Sequence, residues 1–510
     1  MKLLDCTLRD GGYYTNWDFD QELVDQYILA MNDLPVDYIE VGYRSKPMKN
    51  YLGEYFYCPL YLLRRIREKS TKKLTIILNE KDVRAEDVPG LLGPLDGLID
   101  LIRIAVDPKN IGRAIQLAEA IKSAGFPVAF NVMYMSSWKD TPEFIEELVN
   151  MDGLATYFYM VDSYGGVYPK DVAETIALVR SKTHVPLGFH GHNNLELGLI
   201  NTLTALEHGV EIVDATITGM GRGAGNLKTE LLLTALSAQE KVSVNYNSLS
   251  KAVEPFAKMQ KDYEWGTNLP YMVSGANSLP QKDVMSWMGK NRYGLDTIVN
   301  ALHNQKNNIS DNVKLPELDV TGGTSKVLIV GGGTSVQNNH EGLIQLISEN
   351  DDIAVIFSSS RNFSLLSDHS KRSYLCLIGN EGNKLLDRSA DLKNYEGTFI
   401  FPPYPREMGT IIPEEVKDRS YELRRIGITD KYFDSPLAVS LQLADDLGAS
   451  EIFLIGFDGY GSGTNPVQFA LAKENQYILD FCRTMGKSVS ALAPTAYSNL
   501  PVRSLYALLS

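Results

Sequence analysis

The sequence predicts an α/β protein in two parts, a closed barrel of eight βα units over the N-terminal half and an open α/β sheet over the C-terminal third. Three observations predict it. From the N-terminus to about Gln239, short runs rich in β-branched residues alternate with amphipathic stretches of helical length. Polar residues gather where those runs end, which is where a (β/α)₈ barrel carries its functional groups. The 510 residues also exceed the roughly 250–300 at which a single core stops growing, so the chain must divide.

The eight strand candidates are Leu3 to Leu8, Tyr38 to Val41, Leu74 to Leu78, Leu98 to Ala105, Val128 to Met133, Thr156 to Val161, Pro186 to His190 and Ile212 to Ile217. Helical stretches such as Gln21 to Met31, Ile111 to Ala124 and Ala173 to Val179 lie between them. This assigns residues 1–240 to a TIM barrel. From Val242 to Asn307 the periodicity is helical but broken by Trp265-Gly-Thr-Asn-Leu-Pro270, which reads as a helical appendage over 241–307. Residues 308–325 are rich in Asp, Asn, Pro and Gly and read as a linker. In residues 326–510, the runs Val327 to Val330, Ile353 to Phe357, Tyr374 to Ile378 and Glu451 to Ile455, with a helix over Leu437 to Leu447, describe a Rossmann-like sheet.

Bulk properties narrow the function. Hydrophobic content of 44% and charged content of 22% are those of a folded globular chain. A net charge of −14 with no basic run leaves no footprint for nucleic acid. An acid, Asp5, precedes any apolar stretch of signal length, and no segment approaches the ~18 apolar residues of a membrane span, so a cytoplasmic protein is expected. Cys6, Cys58, Cys376 and Cys482 lack the paired spacing of a zinc site or disulfide framework, which points to reduced thiols.

The strand ends carry the chemistry. His190 and His192, two apart in extended backbone, leave the strand on one face and can reach one ion. Asp10, after the first strand, is the natural carboxylate ligand, and Asn226 can add a carbonyl oxygen. A ligand set of nitrogen and oxygen without thiolate suits Mn²⁺ or Mg²⁺, with Zn²⁺ or Co²⁺ as alternatives. Such an ion, chelated by a 2-oxo acid, would stabilise charge on the keto oxygen and open the way to an enolate. Arg9 is the second candidate stabiliser, with a structural ion pair to Glu40 as the other reading of the same residue. Arg103, charged within a strand, either points into the barrel mouth or bridges to Glu40.

Four segments, Leu4-Asp-Cys-Thr-Leu-Arg-Asp-Gly-Gly12, Ile39-Glu-Val-Gly42, Phe189-His-Gly-His-Asn-Asn-Leu195 and Gly219-Met-Gly-Arg-Gly-Ala-Gly-Asn226, together resemble the signatures of the DRE-TIM (HMGL-like) metallolyases over roughly Met1 to Asn307. The resemblance implies that Asp10, His190, His192 and Asn226 surround a divalent metal, that Arg9 steadies an enolate, and that Glu40 positions Arg9. Leu269 to Ala276 and Arg292 to Asp296 are most similar to the aldolase branch, typified by 4-hydroxy-2-oxovalerate aldolase. That branch implies a lyase acting on pyruvate, or a related 2-oxo acid, and an aldehyde, and a homodimer formed through the appendage. Its members carry a basic histidine where this chain has Tyr13, and no histidine precedes His184. The proton carrier therefore has to be another group, such as Tyr13, Tyr14, a metal-bound water or a residue of the appendage. Asp162 and Ser163 resemble the family's loop after strand six and are candidate substrate contacts, together with Arg103.

In the second domain, Gly331-Gly332-Gly333-Thr334-Ser335 forms a strand-to-helix turn able to present backbone amides to a phosphate, and Asp458 lies at another strand end. The run after the second strand, Ser358-Ser-Ser360, lacks the acid that holds a ribose, which disfavours NAD. The segments Val330 to Ser335 and Leu447 to Gly459 are distantly similar to CMP-sialic-acid-dependent sialyltransferases and pterin-pyrophosphokinase-like domains, which implies a nucleotide or nucleotide-linked ligand. A purely structural glycine turn is the competing reading. Two alternatives to the aldolase are a Claisen-type acyl-CoA synthase or lyase, which would release free thiol, and a non-catalytic binding or regulatory protein, which would need no metal.

Overall fold

The computed structural model describes residues 1–510 apart from 50, 291, 309–312, 321–322, 389–391, 393–394, 407–409, 461–465 and 510, and apart from the side chains of 388, 466 and 467. The chain divides into two compact units, Met1–Val284 and Met285–Ser510. The stretch expected as an appendage is therefore shared. Helices Tyr246–Tyr263 and Leu269–Ala276 fall in the first unit and helix Leu295–Lys306 in the second. Of the expected linker, 309–312 and 321–322 lie outside the described residues, whereas Leu315 is buried and Pro316 and Leu318 exchange backbone hydrogen bonds with Glu422.

In the first unit, strands β1 (Lys2–Asp5), β2 (Tyr38–Tyr43), β3 (Lys73–Asn79), β4 (Leu101–Val106), β5 (Val128–Val132), β6 (Tyr157–Asp162), β7 (Leu187–Gly191) and β8 (Ile212–Ala215) pair in parallel and close into a barrel. All eight expected strands form, with their ends moved by up to three residues. β1 stops at Asp5 instead of Leu8, and helix Thr7–Thr15 follows. The Asp5 carboxylate accepts from the Thr7 N–H at 2.9 Å and from its hydroxyl at 2.6 Å, a local bond that turns the backbone out of the strand. Arg9 and Asp10 are thereby placed on the first turn of a helix at the barrel mouth.

Alternation decides what the barrel encloses. Outward residues such as Leu3, Ile39 and Val213 pack under the surrounding helices, whereas Leu4, Tyr38, Leu101, Tyr157 and Ile212 point inward and cluster together. One step further toward the mouth, the inward positions of the even strands are Glu40, Arg103, Tyr159 and Asp214, four side chains from alternate strands in one layer. All four are buried, and the Arg103 guanidinium lies 2.5 Å from Asp214, 3.2 Å from Glu40 and 4.2 Å from the Tyr159 ring centroid. The barrel thus changes from an apolar to an ionic interior just below its C-terminal end.

The second unit holds a seven-stranded parallel sheet of β9 (Lys326–Val330), β10 (Ile353–Phe357), β11 (Ser373–Cys376), β12 (Thr398–Phe401), β13 (Ser420–Glu422), β14 (Glu451–Ile455) and β15 (Val489–Ala491), in the order β13-β12-β11-β10-β9-β14-β15. Leu328 and Val330 face one apolar cluster and Val327 and Ile329 the other, so both faces are covered. The chain order reverses between β9 and β14, which makes their C-terminal ends the crevice of this Rossmann-like sheet.

Candidate active site

The end of β7 and the first turn of helix Thr7–Thr15 bring the expected ligands together. One ligand atom each of Asp10, His190 and His192 lies within 4.8 Å of the other two, a spacing that one cation can bridge. His190 Nε2 is 3.5 Å from Asp10 Oδ2, and its Nδ1 is 2.8 Å from Asp214 Oδ2 on β8. A carboxylate on one ring nitrogen orients the other, the usual support for a metal-binding histidine. Burial, reinforced by the neighbouring His190, lowers His192 to about 3, so its imidazole is neutral and has a lone pair to give. Burial alone would raise Asp10, but Arg9 and the two imidazoles outweigh it and hold the carboxyl below its ordinary range.

Asn226 closes the set from the loop after β8, where residue 226 bridges to His192. Its Nδ2 donates to Asp10 Oδ2 at 2.7 Å, and its buried Oδ1 has no hydrogen-bond partner among the described residues. A buried carbonyl oxygen without a donor is costly unless a cation or a water satisfies it. One carboxylate, two imidazoles and one unsatisfied carbonyl oxygen fit a hard or borderline divalent ion.

Arg9 forms the ion pair with Glu40 that was one of its two readings. Its Nε donates to Glu40 Oε2 at 2.7 Å, Nη1 contacts Asp10, and the residue lines the cavity above the cluster. Tyr13 also lines that cavity, 36% exposed, with its hydroxyl 3.2 Å from that of Tyr43. Ser163 lines it as well and accepts from the Tyr134 N–H at 2.9 Å.

Two expected substrate contacts lie elsewhere. Arg103 is fully buried in the ionic layer beneath the cavity, where Asn131 accepts from its Nε at 3.0 Å, so of its two readings the bridge to Glu40 is the one the fold adopts. Asp162 is buried against its own loop and accepts from the Gly166 N–H at 3.2 Å. Burial, only partly offset by these backbone donors, raises its pKa to about 7. It shapes the turn that carries Ser163 and does not line the cavity.

The HMGL-like family profile matches residues 103–254. A 4-hydroxy-2-oxovalerate aldolase of Roseiflexus castenholzii is 32% identical over 242 residues, covering 46% of this chain and 70% of that protein. The chain belongs to the HMGL-like family. An oxaloacetate decarboxylase of Mycobacterium tuberculosis is 28% identical over 242 residues, 46% of this chain and 69% of that protein. The crystal structure of the N-terminal domain of a Bacteroides vulgatus protein described as a candidate aldolase is 56% identical, covers 59% of this chain and 100% of its own, and superposes with a TM-score of 0.57.

Around this HMGL-like site the fold adds residues that sequence reasoning passed over. Asp214 carried a readable signal, an acid inside an apolar strand, the same feature that drew attention to Arg103. Gln281, at the start of helix Gln281–Gly289, carried none. Its Nε2 is 3.1 Å from His192 Nδ1, and its Oε1 accepts from the Ala224 N–H at 3.2 Å, tying the glycine-rich loop to a ligand. Arg222, from that loop, also lines the cavity.

In the second unit Gly331, Gly332, Gly333, Thr334 and Asp458 border a cavity of about 500 Å³ at the ends of β9 and β14. Ser335 is drawn to Asp458: its N–H donates to Oδ2 at 3.0 Å, its hydroxyl donates to Oδ1, and the Thr334 hydroxyl lies 3.3 Å from Oδ2. The Asp458 carboxylate thus occupies the amide that a phosphate at this turn would use. Cationic side chains, Lys290, Arg292, Arg361 and Lys384, border the same cavity.

No helix among the described residues is long and apolar enough to cross a membrane.

Proposed function

We propose that the barrel is a divalent-metal-dependent aldolase that makes or cleaves the carbon–carbon bond between pyruvate, or a related 2-oxo acid, and an aldehyde. The convergence of Asp10, His190 and His192, with Asp214 orienting His190, carries this reading. The likeness to proteins named 4-hydroxy-2-oxovalerate aldolase supports the substrate class. Asp10, His190, His192 and the Asn226 oxygen would hold Mn²⁺ or Mg²⁺. A bound divalent cation would supply Lewis-acid stabilisation of negative charge on the keto oxygen.

The chain's own groups do the rest. Glu40 fixes the Arg9 guanidinium, which presents donors to the same developing charge. In the forward direction, loss of a methyl proton from pyruvate gives the enolate. Its carbon bonds to the aldehyde carbon, the carbonyl electron pair moves to oxygen, and that alkoxide takes a proton. Tyr13 is the proposed proton carrier, taking the methyl proton of pyruvate and returning it to the alkoxide. Burial keeps its neighbour Tyr43 well above the ordinary phenol pKa, so Tyr43 stays a neutral donor that holds the Tyr13 oxygen in place. Ser163 borders the substrate, while Arg103 and Asp162 act by supporting the site. The second unit is proposed to bind a nucleotide or nucleotide-linked ligand at its crevice, with the surrounding cations rather than the Gly331–Ser335 turn holding the phosphates.

The test follows the methyl hydrogens of pyruvate by NMR in deuterated water, with Mn²⁺ or Mg²⁺ and no aldehyde. Metal-dependent exchange that Asp10→Ala abolishes is the expected result, and its absence across several 2-oxo acids would exclude the reading. Release of free thiol from acetyl-CoA would point to the Claisen chemistry instead.

A further inference from the structure

We infer that Arg222 selects an acceptor aldehyde that carries an anionic group, a carboxylate or a phosphate. The inference rests on the aldolase reading above and names the class of its second substrate.

Two guanidiniums line the barrel cavity, and their surroundings differ. Arg9 is neutralised by Glu40 and Asp10. Arg222 is half-buried and lies over the Tyr13 ring, 5.4 Å from its centroid, and no carboxylate among the described residues pairs with it. A partly desolvated cation held on an aromatic face, with no acid to meet it, is a site for an anion from outside.

Its backbone is fixed relative to the metal ligands. On one side, a Cβ at Gly221 would stand 2.4 Å from Asn226 Nδ2. On the other, Gly223 has φ +64°, and a Cβ there would stand 1.8 Å from Gln281 Oε1. The Gly223 carbonyl also accepts from the Tyr14 hydroxyl at 2.9 Å. Both flanking residues are thus clasped by groups that touch Asp10 or His192, so Arg222 is presented in a set position.

Size decides which substrate meets it. The cavity measures about 130 Å³, and a void of about 150 Å³ holds one benzene, six heavy atoms, as many as pyruvate has. The 2-oxo acid therefore fills the space over the ligand cluster, and the acceptor enters from the mouth, past Tyr13 and Arg222. An anionic tail on that acceptor finds the unpaired guanidinium, whereas a neutral tail leaves it without a partner.

The test measures kcat/KM with pyruvate and three aldehydes, succinic semialdehyde, glyceraldehyde 3-phosphate and butanal, in the Mn²⁺-loaded full chain, alongside pyruvate exchange without aldehyde. Wild type is expected to prefer at least one anionic aldehyde over butanal by 10-fold or more, and the better of the two identifies the anion. Arg222→Gln is expected to reduce that preference by roughly 10- to 100-fold, chiefly through the KM of the aldehyde, and Arg222→Lys to restore part of it. Equal use of butanal by an enzyme that exchanges pyruvate protons overturns the inference alone. A larger rise in the KM of pyruvate than of the aldehyde in Arg222→Gln also overturns it, since Arg222 would then hold the 2-oxo acid. No exchange in wild type removes the aldolase reading and this inference together.

Discussion

Replacing Asp214 with Asn tests the link between the barrel's ionic interior and its metal site. The Asp214 carboxylate accepts from His190 Nδ1 at 2.8 Å and from Arg103 at 2.5 Å. Burial opposes its charge, but Arg103 and His190 hold its pKa below the ordinary value, so it is ionised at neutral pH. An asparagine keeps the shape and one oxygen while losing the charge. The bond to His190 then falls to neutral strength, and the ring is less firmly held with Nε2 toward Asp10. Loss of such a supporting group weakens metal affinity by roughly 10- to 100-fold, about 1.4–2.7 kcal/mol. Arg103 loses one of two carboxylates but keeps Glu40 at 3.2 Å, so the cost to folding is about 2–3 kcal/mol, short of that for a fully orphaned buried charge. Isothermal titration with Mn²⁺ measures the first effect and urea unfolding in EDTA the second. Wild-type Mn²⁺ affinity in a destabilised Asp214→Asn protein would refute the orienting role, and unchanged stability would refute the account of the ionic layer.

Three further outcomes follow from the same geometry. Asp162, raised to about 7 from an unfolded value near ~3.9, favours the folded state when protonated. Its contribution is full below about pH 4 and is lost as pH rises through about 7, an order-of-magnitude change of about 4 kcal/mol; the stability difference between wild type and Asp162→Asn should change across this window, and parallel pH profiles would show the carboxyl titrates normally. Gly223→Ala forces a Cβ into Gln281 at positive φ and should cost about 1–3 kcal/mol in thermal unfolding while weakening Mn²⁺ binding; a neutral effect on both would mean that the loop is not clasped. In the second unit, Arg361→Gln should weaken binding of CMP or ADP by about 10-fold or more in isothermal titration, whereas equal binding would move the phosphate site away from Arg361.

What the sequence determined by itself is what depends on local pattern. Short runs rich in β-branched residues identified every barrel strand, because each is buried on both faces and is mostly apolar along its length. His190 and His192 were legible from local pattern too, since two residues of extended backbone return a side chain to one face. Short strands escaped: β12, β13 and β15, of three or four residues, have too few positions to display a period.

Tertiary structure decided the partners. Arg103 and Asp214 are 111 residues apart and meet because strand tilt places alternate strands in one layer, a geometry that no local window contains. The same closure turned Arg103 from an expected substrate contact into a buried brace, and left Arg222 lining the cavity with no carboxylate paired to it among the described residues. Strand composition encodes that a charge lies in a barrel strand; the register of closure fixes whether that charge meets a carboxylate or a substrate.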